Sequence, residues 1–214
     1  MILKASQRSG TRQLARHLLT SRDNDHIAIH ELRGFVGDNL VDAFTEVYAL
    51  SRGTKCTQFP FSLSLSPPET ESMPIKVFET AVETTEARVG LSGQPRAIIF
   101  HEKKGRRHAH CIWSRIDVQT MTAINLPHFK LKLRDMSREL FLEHQWNMPR
   151  GLANTSERDP LNFTLAEWQK ARCLKLDLRW IKEAFQDCWA TSDSGAAFVQ
   201  ALAVRGYYLS RGDR

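Results

Sequence analysis

Cysteine is scarce and scattered in this chain of 214 residues: Cys56, Cys111, Cys173 and Cys188 form no CxxC pair. Such spacing argues against a disulfide framework and predicts reduced, partly buried thiols of a cytosolic protein. No run approaches the roughly 18 apolar residues of a membrane span. The opening "MILKASQRSG" lacks the apolar core of a signal peptide. Membrane insertion is therefore not expected. Internal repeats and low-complexity tracts are missing too. Tyrosine is rare, at Tyr48, Tyr207 and Tyr208 only.

What is present suits a soluble domain with a real core: 42% hydrophobic residues and 25% charged. A net charge of +6, from 30 Lys+Arg against 24 Asp+Glu, favours nucleic acid or another polyanion as partner.

Strands and helices alternate along the first part. "MILKAS" reads as a strand, and Ser9-Gly10-Thr11 as the cap of a helix over 12–20, with Leu14, His17 and Leu18 at helical spacing. "HIAIHEL" is a second strand. A helix over 40–51 carries the stripe Leu40, Ala43, Phe44, Val47 and Leu50, with Tyr48 beside it. In "QFPFSLSLSPP", Phe59, Phe61, Leu63 and Leu65 point one way and Ser62, Ser64 and Ser66 the other. A helix after Pro74, a hairpin of "PRAIIFH" and "RHAHCIWSRI", and a helix over 131–145 follow. This order predicts an α/β (α+β) domain whose central antiparallel sheet carries helices on one side.

The texture changes near Asn147. A polar loop precedes three short helical patterns, whose Trp168, Trp180 and Trp189 are expected to anchor them on the body of the domain. Residues 1–146 read as a functional core and 147–214 as a helical extension. The ending "GYYLSRGDR" reads as a strand and turn without a returning strand, which predicts a piece of a longer protein.

The hairpin carries the chemistry. "HEKKGRRHAHCIW" (101–113) crowds three histidines among two lysines and two arginines. Residues i and i+2 of a strand share a face, so His108 and His110 project together. A two-residue loop at Lys104-Gly105 would set His101 opposite His108, with Cβ atoms about 4.5–5.5 Å apart. Three imidazoles on one divalent ion leave coordination positions open, as in a catalytic site. Lys103, Lys104, Arg106 and Arg107 would then hold phosphates at its rim, although basic turns are also common without a ligand. The serine face of β-strand 58–66 is expected beside the histidines, or else open to solvent.

"HEKKGRRHAHCIWSRID", as H-x6-H-x-H ahead of an apolar strand, resembles the metal motif of the mobilisation relaxases of plasmids and integrative elements. These are nucleases of the His-hydrophobe-His class. "FSLSLSPPE" is similar to the strand before that motif, "LARHLLTS" sits where the family carries its nucleophile helix, and "SGAAFVQALAVRGYYLSRGD" resembles the helix-and-hairpin segment after the nuclease core.

The resemblance implies an antiparallel sheet bearing Mn²⁺ or Mg²⁺, with Zn²⁺ or Ni²⁺ as substitutes, on His101, His108 and His110. It implies nicking of single-stranded DNA at a transfer origin, covalent attachment to the 5′ phosphate and a free 3′ hydroxyl. The implied partners are the coupling machinery of a type IV secretion channel and accessory DNA-binding proteins. The implied setting is the bacterial cytoplasm, with translocation alongside DNA. Most relatives use a tyrosine nucleophile in or beside the first helix. Here that helix has none, and His17 stands in its place, with Tyr48 as the alternative. Two rival readings stay open: a DNA-binding relative that has lost cleavage, and a zinc hydrolase needing a carboxylate base near the ligands.

Overall fold

A strand apolar at every position is buried on both faces, and "AIIF" (97–100) is such a run. In the computed structural model, which describes residues 1–21, 24–157 and 159–210, this run lies in β4 (Arg96–Lys103). It pairs with β5 (Arg106–Ser114) inside a five-stranded antiparallel sheet. The other strands are β1 (Ile2–Gln7), β2 (His26–Arg33) and β3 (Pro60–Ser66), and the order is β1-β3-β5-β4-β2. A short pair, β6 (Ile116–Asp117) and β7 (Thr122–Ala123), follows β5.

Alternation sorts the side chains into two faces. Phe61, Leu63, Leu65, Ile98, Phe100, Ala109, Cys111 and Trp113 form the larger core with helices α3 (Ile75–Val89) and α4 (Phe129–Glu143). Ala97, Ile99 and Ile112, on the other face, pack under α1 (Arg12–Leu18) and α2 (Leu40–Arg52). Helices therefore cover both faces, not one side as the element order suggested. The reason is visible in β4, whose odd and even positions are both apolar and need separate partners.

Two local expectations are corrected. Helix α1 begins at Arg12, but Thr11 is itself helical and makes no side-chain cap. The stripe of α1 is Leu14, Ala15 and Leu18, which leaves His17 exposed.

Far from the histidines, Glu86 organises a buried polar cluster. Its carboxylate accepts hydrogen bonds from Arg33, Arg96, Trp113 Nε1 and the Gly93 amide. Burial pushes its pKa up, but the bonds from Trp113, Arg33 and Arg96 outweigh this and hold it below the ordinary carboxylate value. Glu86→Ala would leave the buried Arg96 guanidinium with Glu31 alone. The expected cost is about 3 kcal/mol, or roughly 10 °C in Tm. A loss under about 1 kcal/mol in thermal unfolding would show that the neighbouring charges re-pair without it. Because the folded pKa is lowered, this contribution is full above the unfolded value of about 4.3. It is lost as pH falls through the folded value.

The chain divides into two compact units, Met1–Met148 and Pro149–Arg214. The second holds α5 (Arg150–Ala153), α6 (Leu165–Cys173), α7 (Leu178–Ala190) and α8 (Gly195–Val204). Thr164, Asp177 and Ser194 cap the last three through their side chains. Trp168, Trp180 and Trp189 are 41%, 61% and 67% exposed. Trp180 lies against Tyr207 and Trp189 against Phe198. No strand forms over 207–210, and the rest of the expected terminal strand and turn lies outside the described residues. Among the described residues no helix is long and apolar enough to cross a membrane.

Candidate metal centre

The turn between β4 and β5 sets the site. Lys104 and Gly105 have φ of 52° and 73°, the two positive values of a type I′ turn, which matches the twist of the strands it joins. The resulting register pairs His101 with His108 and Ile99 with His110. The odd series Ala97, Ile99, His101 and the even series Ile112, His110, His108 then share one face. Its apolar part lies under α1 and α2, and the histidines follow in line.

One ligand atom from each of the three rings lies within 4.8 Å of the others, and the ring centroids are 4.7–5.2 Å apart. Burial is the main cause that lowers all three pKa values. His108 falls to about 4, helped by His101, Arg106 and Lys103, and His110 to about 3, helped by His101, His108, His17 and Arg8. His101 is lowered too, by burial first and by His17, against a backbone hydrogen bond that raises it. Neutral rings at pH 7 present lone pairs, which is what a divalent cation requires. The donor set fits a divalent metal. His101 Nε2 lies 2.8 Å from the Leu18 carbonyl oxygen, the kind of outer bond that orients a metal-binding imidazole.

No carboxylate joins the cluster among the described residues. Glu102 pairs with Arg107 on the opposite face of the ribbon, where Arg107 also lies over the Phe100 ring. The carboxylate base that a zinc hydrolase would need is thus not supplied by Glu102.

The other expected residues separate. His17 is exposed on α1, close enough for its charge to act on His101 and His110. Tyr48 is 50% exposed on α2, with its ring 6.2 Å from Phe59; it is not a core residue. Phe59 precedes Pro60, which pairs with Ser114, whereas His110 pairs with Ser64. Those four steps along β3 amount to about 13 Å, so Tyr48 sits over the far end of the sheet. Lys103 and Arg106 pair on the histidine face, and Arg106 also bonds Glu69 and the Pro67 carbonyl. The Lys104 amide donates to Asp25. Arg107 points away from the histidines.

The sheet adds residues that the sequence reading missed. Lys4 pairs with Ser64, which pairs with His110, so these three form one row across the face. Ser6 and Ser62 form the next row. Exposed Lys4, and Arg8 just beyond β1, bring positive charge to a polar floor of Ser62, Ser64 and Ser66. The alternation of "LKAS" (3–6) was the available signal.

A family model, the nuclease domain of MobA/VirD2-like relaxases, matches residues 13–146. Neither the curated proteins nor the solved structures give a match.

Proposed function

The chain belongs to the family of MobA/VirD2-like relaxase nuclease domains, DNA-nicking proteins that bind a single strand, and from that premise we propose that it cuts at the transfer origin of a plasmid or integrative element. It keeps the 5′ phosphate covalently and releases a 3′ hydroxyl. The observation that carries this reading is the convergence of three neutral imidazoles beside an exposed histidine on α1.

His101, His108 and His110 would hold Mn²⁺ or Mg²⁺, with Zn²⁺ or Ni²⁺ as substitutes. When bound, such an ion supplies polarisation of a phosphate oxygen and offsets developing charge. His17 attacks phosphorus through a ring nitrogen. The P–N bond forms as the P–O3′ bond breaks, and the proton of the ring's other nitrogen ends on the 3′ oxygen. The 5′ phosphate remains on His17 as a phosphoramidate. Residues 1–146 do this chemistry, and 147–214 form an extension. In this reading the protein acts in the bacterial cytoplasm and, with accessory DNA-binding proteins, hands the attached strand to type IV secretion coupling machinery.

The test is incubation with single-stranded origin DNA and Mn²⁺ or Mg²⁺, followed by a denaturing gel. A protein–DNA adduct is expected. Binding with neither nick nor adduct would leave a non-cleaving relative.

DNA is expected to lie on the polar floor, with Lys4 and Arg8 joining Lys103 and Arg106 in holding its phosphates. For a single strand, each phosphate-binding cation removed lowers the slope of log affinity against log salt by about 0.7. Lys4→Gln with Arg8→Gln should therefore reduce it by about 1.4. An unchanged slope in fluorescence-anisotropy titrations would move the strand elsewhere.

A further inference from the structure

Both ring nitrogens of His101 are engaged within the chain. Nε2 lies 2.8 Å from the Leu18 carbonyl oxygen, and Nδ1 lies 3.3 Å from the Asn24 side-chain nitrogen. A carbonyl oxygen only accepts, so Nε2 carries the proton of the neutral ring. Nδ1 is then the acceptor, and the Asn24 amide donates to it. The orientation of that amide is fixed independently: its nitrogen also donates to the Thr20 carbonyl oxygen at 3.4 Å. The lone pair of Nδ1 is thus the one place where His101 can bind a cation, and a neutral N–H already stands on it.

We propose that Asn24 is a positioning residue that gates the metal site, capping His101 Nδ1 with its amide and releasing it when a divalent cation binds. This rests on the metal reading of the three histidines. The neighbouring backbone limits how the cap can move. Asp25 gives its amide to the Glu102 carbonyl at 2.8 Å and takes the Lys104 amide on its carboxylate. These bonds pin the chain after Asn24 to the tip of the β4–β5 hairpin. Release therefore comes from rotation of the Asn24 side chain.

The cap joins two parts of the site. Thr20 and Leu18 close the end of α1, the helix that carries His17. One side of His101 is bonded to that helix end and the other to the Asn24 side chain. Occupation of Nδ1 removes the Asn24 bond and leaves the Leu18 bond intact. The ion is thereby tied to α1 through a single imidazole, and Asn24 gives up its bond to His101.

A competing neutral hydrogen bond is worth a factor of about 2 to 10 in an equilibrium constant. Mn²⁺ titrations of the full chain by calorimetry should find Asn24→Ala binding about 2- to 10-fold tighter than wild type. Equal or weaker binding in Asn24→Ala overturns the gate, since a group that helps hold the ion would be missed when removed. A second readout needs no substitution. Imidazole ¹⁵N spectra of the metal-free wild type should show His101 as the Nε2–H tautomer. Added Zn²⁺ should shift the Asn24 side-chain amide resonances. The other tautomer, or amide resonances that ignore Zn²⁺ while the imidazoles respond, overturns the proposal. A wild type whose imidazoles also ignore the ion sinks the metal reading itself, so the two failures are distinct.

Discussion

Replacing both His108 and His110 with alanine is expected to reduce nicking by roughly 10³-fold or more, the scale of several kcal/mol of transition-state charge stabilisation. The two rings belong to one cluster with His101, and burial keeps all three neutral. Their lone pairs are the feature that a cation needs and a bare phosphate does not. Single-strand binding should survive, because Lys4, Arg8, Lys103 and Arg106 remain. Gel-based nicking and anisotropy on the same preparation separate the two effects. A double variant that nicks at the wild-type rate would refute the metal assignment, and joint loss of binding would point to misfolding.

The second large effect is expected at His17. Its side chain is exposed while Leu14, Ala15 and Leu18 fill the buried stripe of α1. His17→Ala should therefore leave stability within about 0.5 kcal/mol, alanine being the best helix former. Disappearance of the adduct then reports chemistry, not folding. Tyr48→Phe should keep the adduct, since Tyr48 lies over the opposite end of the sheet. Acid treatment adds an independent check, because a phosphoramidate hydrolyses in acid where a phosphotyrosine survives. A full adduct yield from His17→Ala, or an acid-stable adduct, would transfer the role of nucleophile to another residue.

The meeting of the three histidines was legible because strand parity is rigid: a two-residue loop leaves no freedom in which side chains meet. That same parity puts Glu102 and Arg107 on the other face, which separates Arg107 from the phosphate rim proposed from charge alone. Parity along β1 also aligns Lys4 with Ser64 and His110. Helix phase was harder. Helix α1 has seven residues, about two turns, and over that length a stripe through Leu14 and Leu18 can include either Ala15 or His17. Tertiary packing chose Ala15. The exposure of Tyr48 is set in a similar way, at the edge of a stripe centred on Ala43, Phe44 and Val47. Asn24 left no pattern at all. Its meeting with His101 depends on how the chain turns after α1, which no periodicity encodes.

The pairing distances also order the assembly of this protein in time. His101 meets His108 seven residues along the chain, through a turn of two, whereas Leu3 must find Leu65, 62 residues away. Loop-closure entropy makes the longer pairing costlier by roughly 2 kcal/mol. Hairpins form in about 1–10 μs, so the three histidines can be gathered before the edge strand that carries Lys4 has docked. The three-histidine cluster thus takes shape early and locally in folding, while the polar floor beside it, which needs β1, is among the last surfaces completed.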